Sequence, residues 1–128
     1  MAAFNGHFDV VEYLVNQKAD INAKDKDNYT PLHIATQNSH FSISKYLLHQ
    51  GADFQDGFNG QSYLHWAAEN GYINIVESLV NQKADINAKN EYKGTPLHRA
   101  VENGHLSVVD YLVNRKADIN AKDNCVDF

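Results

Sequence analysis

The sequence has one cysteine, Cys125, in 128 residues. An internal disulfide and a cysteine-built zinc site are therefore both excluded. That usage fits a reducing compartment, and a cytoplasmic location is expected. Basic residues are also few: Lys plus Arg is 11 against 16 for Asp plus Glu, a net charge of −5. Phosphate backbones and anionic membrane surfaces attract concentrated Lys and Arg, so neither nucleic acid nor membrane is an expected partner. No apolar run approaches the ~18–20 residues of a spanning helix, and the opening MAAFNGHFDV lacks the apolar centre of a signal peptide. Neither GxGxxG nor GxxxxGK occurs, so no glycine-rich phosphate cradle or nucleotide cofactor is indicated.

The sequence does contain a repeat. Thr30-Pro31-Leu32-His33-Ile34-Ala35 returns as Ser62-Tyr63-Leu64-His65-Trp66-Ala67 and again as Thr95-Pro96-Leu97-His98-Arg99-Ala100, at steps of 32 and 33 residues. A second phrase keeps the same register. Ala19-Asp20-Ile21-Asn22 is matched by Ala52-Asp53-Phe54-Gln55, Ala84-Asp85-Ile86-Asn87 and Ala117-Asp118-Ile119-Asn120. A fixed period of this kind is the mark of a tandem array, in which each unit buries its apolar side on the next.

Each phrase carries local instructions. Thr95 followed by Pro96 reads as an N-cap and first helical residue: the hydroxyl accepts an orphan N–H, and proline has none to lose. His98 then falls where a capping-box side chain reaches back to Thr95. Ser62 keeps the cap without the proline. Gly71 and Gly104, nine residues after the cap, suit a left-handed helix end, and Ser39 stands at the equivalent place. In the second helix of each unit, Val10, Val11, Leu14 and Val15 are matched by Ile75, Val76, Leu79 and Val80 and by Val108, Val109, Leu112 and Val113. This is one apolar stripe at helical period. Gly51 closes one such helix, whereas Lys18, Lys83 and Lys116 close the others, where a left-handed lysine costs roughly 1–2 kcal/mol.

These phrases, TPLHxA and NGxxxVVxxLV, resemble the ankyrin repeat along the whole chain. The resemblance implies an all-α repeat solenoid of stacked helix-turn-helix units with β-turn or hairpin fingers. The expected divisions are a partial repeat at 1–24, repeats at 25–57, 58–90 and 91–122, and the start of a further finger at 123–128. Met1 aligns with Trp66, so the first unit begins midway through a helix, and no polar capping unit is evident at either end. The chain is therefore expected to be part of a longer array or to associate end to end with a second copy.

The histidines do not form a metal site on this reading. His33, His65 and His98 recur one per unit, about 10 Å apart along a stack, too far for a shared ~2.0–2.1 Å coordination shell. His7, His40 and His105 recur likewise, as do Asp20, Asp53, Asp85 and Asp118. No Ser-His-Asp set lies outside the repeat positions, so no catalytic residue, metal, cofactor or small-molecule substrate is expected.

The informative residues are those that the repeat leaves free. Tyr29, then Phe58 and Asn59, then Tyr92 fall on the fingers. Trp66 and Arg99 follow the TPLH histidine, and Gln37, Glu69 and Glu102 lie further along the same helices. In ankyrin-type proteins such places line a concave groove, so the resemblance implies a surface that binds another protein. Aromatic and Arg side chains are the usual anchors of such surfaces; Trp66 and Phe58 also suit packing between repeats. The expected function is a non-catalytic interaction module. The alternative is the targeting arm of a larger effector, toxin or enzyme, delivered in some cases into a host cytoplasm, and a third reading is an elastic spacer. Asn22, Asn87 and Asn120, each with a leucine eight residues before it, match the pattern that asparaginyl hydroxylases favour in ankyrin domains.

Overall fold

The computed structural model describes residues 7–55, 57 and 60–119. Among them are seven α-helices: α1 (Phe8–Asn16), α2 (Pro31–Gln37), α3 (Phe41–His49), α4 (Tyr63–Asn70), α5 (Ile73–Asn81), α6 (Pro96–Glu102) and α7 (Leu106–Asn114). No β-strand occurs among the described residues, and no described helix is long and apolar enough to cross a membrane. The further finger expected at 123–128 lies outside the described residues, as do Phe58, Asn59 and Asn120. The chain divides into two compact units, Met1–Phe54 and Gln55–Phe128.

The first helices begin as the sequence dictates. The hydroxyls of Thr30, Ser62 and Thr95 accept the backbone N–H of His33, His65 and His98 at 3.2, 3.2 and 3.3 Å. The boxes close at Ser62 and Thr95, whose own N–H groups donate to Nδ1 of His65 at 3.3 Å and of His98 at 3.0 Å. These bonds satisfy donors that a helix start otherwise leaves open. The second helices begin without a side-chain cap, at His7, His40, Tyr72 and His105.

Helix ends are equally regular. Ser39, Gly71 and Gly104 adopt φ of 59°, 72° and 71°, and Lys18, Gly51, Lys83 and Lys116 adopt 64°, 88°, 67° and 69°. After the second helices the following amide reaches back five residues, as in Ala84 N–H to Leu79 O and Ala117 N–H to Leu112 O, both 2.9 Å. The lysines hold a conformation that is cheap only for glycine because these reach-back bonds fix the turn.

In the first unit, α1 and α2 both pack on α3, around Val11, Leu32, Ile34, Ala35, Ile43, Leu47 and Leu48, all nearly inaccessible. In the second, α4 pairs with α5 and α6 with α7, and the pairs stack through α4 on α6 and α5 on α7. Leu64, Ile75, Val76, Leu79, Leu97, Val108 and Leu112 fill that core. Side chains also tie one repeat to the next: Asn22 Oδ1 accepts the Asp53 N–H and Asn87 Oδ1 accepts the Asp118 N–H, each at 2.8 Å.

The apolar stripe is only partly buried in α1 and at the outer side of α7 among the described residues. Val10 and Leu14 of α1 are each 44% exposed, and Val113 of α7 is 43% exposed. Their equivalents in α5, Ile75, Leu79 and Val80, are covered or half covered, because α5 lies against both α4 and α7. The stripe marks what a repeat can bury, and the actual burial depends on which helices flank it.

Candidate partner-binding surface

The fingers at 25–29 and 90–94 are each built around one side chain. In the first unit, Asp25 N–H donates to Tyr29 O and Asn28 N–H to Asp25 O, each at 3.0 Å. The Asp25 carboxylate accepts the N–H groups of Asp27 at 2.8 Å and Tyr29 at 3.0 Å. In the second unit Asn90 takes the same part. Its N–H donates to Gly94 O at 2.8 Å and its O accepts from Lys93 N–H at 3.0 Å. Its Oδ1 accepts from Tyr92 and Gly94, both at 2.9 Å. Asn28 and Lys93 supply the left-handed residue of the two turns, at φ 67° and 66°. Asp and Asn favour such turns because the side chain stands in for a backbone acceptor.

The second finger is also anchored from behind. His65 Nδ1 is occupied as an acceptor, so Nε2 carries the hydrogen and donates to Gly94 O at 2.8 Å. Burial holds His65 below the ordinary histidine range, against the opposing pull of that carbonyl, while the Arg99 charge adds a smaller push in the same direction as burial. The ring is thus a neutral strut between α4 and the base of the finger. His33 is lowered by burial as well, partly offset by the Asp25 carboxylate, and its ring stacks on Tyr29 at 4.2 Å between centroids. His105 is a third strut: Nε2 lies 2.9 Å from Glu69 O. An added Cβ at Gly71 would meet that ring at 2.6 Å, so glycine there serves a close approach as well as a turn. Among the described residues no three His, Cys, Asp or Glu side chains converge as metal ligands.

The expected site residues separate into distinct environments. Tyr92 projects from its finger with 54% of its surface exposed. Gln37 and Glu102 are exposed, and Tyr29 and Glu69 are half-buried. Glu102 pairs with Arg99 at 2.8 Å, the Arg side chain being only 13% exposed. Glu69 lies 3.5 Å from the Gln61 amide. Trp66 is 6% exposed and packs edge-on against Tyr72 at 5.2 Å, the packing role that its position also suited. Its equivalent in the first unit, Ile34, is also buried, so this position faces neighbouring helices. Asn38, Asn70 and Asn103, further along the same helices, spend their amides on the carbonyls of Ile34, Trp66 and Arg99 at 2.8, 2.9 and 2.8 Å. These bonds satisfy carbonyls near the ends of the first helices.

In the second unit the arrangement offers a hydrogen-bonded finger with an exposed aromatic tip.

Comparison with known proteins agrees with this geometry. The family described as ankyrin repeats (three copies) matches residues 51–123, and ankyrin repeats (many copies) matches residues 1–48. Alpha-latrocrustotoxin-Lt1a of Latrodectus tredecimguttatus is 45% identical over 98 residues, covering 76% of this chain and 5% of the toxin. Ankyrin repeat and SOCS box protein 5 of Oryctolagus cuniculus is 36% identical over 89 residues, covering 70% of this chain and 27% of that protein. The chain spans about a quarter or less of the length of these relatives.

Proposed function

Because the chain belongs to the ankyrin-repeat family, whose domains are generally protein–protein interaction modules, we propose that it is a non-catalytic module that binds another protein through its fingers and first helices. In the first unit the contact residues are Tyr29 and Gln37; in the second they are Glu69, Tyr92, Arg99 and Glu102. The observation that carries this reading is Tyr92: a large, more than half-exposed aromatic on a loop clamped by the Asn90 bonds and braced by His65. Tyrosine loses little entropy on binding and presents both an apolar ring and a hydroxyl, and a loop already fixed adds little ordering cost. Trp66 is left out because a side chain already covered has little surface to give a partner.

The test is affinity capture with the whole chain as bait, followed by titration of the captured protein. Tyr92→Ala together with Glu102→Ala should weaken that binding about tenfold or more with unchanged circular dichroism, as for interface anchors generally. Undiminished affinity would put the contact elsewhere.

A second reading keeps the same surface but makes it the recognition arm of a larger protein. The small fraction of the toxin and of the SOCS box protein that this chain matches favours it. On that reading, any catalysis or toxicity resides outside these repeats.

A further inference from the structure

The second helices of the first unit carry a feature that the repeat does not call for. Phe8 of α1 and Phe41, Ser42, Lys45, Tyr46 and His49 of α3 line an open hollow of about 340 Å³ with a mainly apolar wall. Phe8 and Tyr46 meet edge-on at 5.3 Å between ring centroids, and Phe8, Phe41 and Tyr46 are all only half-buried. Two further hollows adjoin it at Phe8, one lined by His40 and one by His7 and Asp9. Three rings left half uncovered can accept a further apolar group in an offset or edge-on arrangement.

The rim is also unusual. Lys45 occupies the helix position held by Glu12 in α1, Glu77 in α5 and Asp110 in α7, and His49 occupies that of Asn16, Asn81 and Asn114. The charge is reversed at one repeat only, in a chain whose net charge is −5. Lys45 makes no ion pair with any described carboxylate. A lysine there contributes nothing to the helix that the glutamate of other repeats does not. Its charge beside an aromatic hollow suits an anionic group.

We propose that this hollow is a docking site for an acidic peptide segment of another protein, with one bulky apolar side chain seated among Phe8, Phe41 and Tyr46 and a flanking carboxylate paired with Lys45. The volume lies at the lower end of ligand-sized pockets and suits one side chain. Asp9 lines an adjoining hollow and not this one, so Lys45 is the charged group of the proposed site whose sign suits an acidic segment. The site lies on the second helices and stands independently of the finger surface proposed above.

The probe is the synthetic peptide acetyl-Asp-Glu-Phe-Glu-Asp-amide, titrated into the whole chain and followed by amide resonances. The expected result is that the shifts centre on Phe41, Lys45, Tyr46 and His49. The glutamine analogue, acetyl-Gln-Gln-Phe-Gln-Gln-amide, should bind about three- to tenfold more weakly, and the variant Lys45→Glu should abolish the difference. Lys45→Glu restores the residue type of the neighbouring repeats and is expected to leave the fold intact. Equal binding of the two peptides, an unchanged preference in Lys45→Glu, or shifts centred elsewhere would overturn the proposal.

Discussion

Replacing Ser39 by glycine is expected to stabilise the protein. Ser39 is held at φ 59°, where the Cβ of an L-residue crowds its own backbone at a cost of roughly 1–2 kcal/mol. The turn does not depend on that side chain. Ser39 N–H donates to Thr36 O at 3.1 Å and His40 N–H to Ala35 O at 2.8 Å. The same pair of backbone bonds closes the turn at Gly104, to Val101 O at 3.1 Å and Ala100 O at 3.0 Å. Glycine therefore keeps every bond and removes the crowding, while its freer unfolded chain takes back roughly 0.5–1 kcal/mol. The net gain is about 0.5–1 kcal/mol, a rise of about 0.25–0.5 M in urea midpoint for a slope near ~2 kcal/mol/M. Far-UV circular dichroism is the right readout, because the single tryptophan, Trp66, lies in the other unit. Ser39→Ala is the control: it retains the Cβ and should bring no gain. A lower midpoint for the glycine variant would refute the strain argument.

Four further outcomes follow from the same geometry. Leu79→Ala, at a fully covered position, should destabilise by ~2–5 kcal/mol, read from the Trp66 fluorescence transition in urea. Trp66→Ala should itself behave as a core truncation, lowering the thermal midpoint and costing ~3–5 kcal/mol, whatever it does to binding. Folded His65 binds its proton below the unfolded value of 6.5. Its stabilising contribution is therefore complete above that value and declines as pH falls toward the folded one. The urea midpoint should drop as pH falls below about 6.5, and His65→Gln should flatten that dependence. Asn87→Ala removes the acceptor of the Asp118 N–H and should cost about 0.5–1.5 kcal/mol, with faster hydrogen exchange at the Asp118 amide.

The elements of the fold were largely legible because they rest on short-range chemistry. Thr30, Ser62 and Thr95 cap helices through atoms three residues away, so cap, box and helix start can be read from a few adjacent letters. The left-handed ends at Ser39, Lys18, Lys83 and Lys116 were equally accessible, because the glycines at Gly51, Gly71 and Gly104 reveal what the backbone does there. Burial was less legible. Val10 and Ile75 occupy one position in the repeat, yet Val10 is 44% exposed and Ile75 is fully covered. Periodicity gives the direction in which a side chain points, whereas the flanking helix decides whether water is excluded.

The same distinction governs the binding surface. Trp66 and Tyr92 look alike in sequence, since both are large aromatics at positions that the repeat leaves variable. Their fates differ because Trp66 sits one residue past the capping histidine on a helix flanked by α5 and α6, whereas Tyr92 rides a loop held by the side chain of Asn90 and by His65. A variable position on a helix flank is free to change only as far as its packing partners allow: Ile34, Trp66 and Arg99 differ in chemistry, but each is largely covered. On the fingers the limit varies: Tyr29 stacks on His33, whereas Tyr92 is more than half exposed. Lys45 supplies the complementary case. It lies on a helix, and its significance comes from sign rather than size, because three other repeats place an acid where it stands. A charge reversal at a position that every repeat leaves at least partly accessible is therefore a better guide to a partner in this protein than a bulky residue whose burial is undetermined by the letters alone.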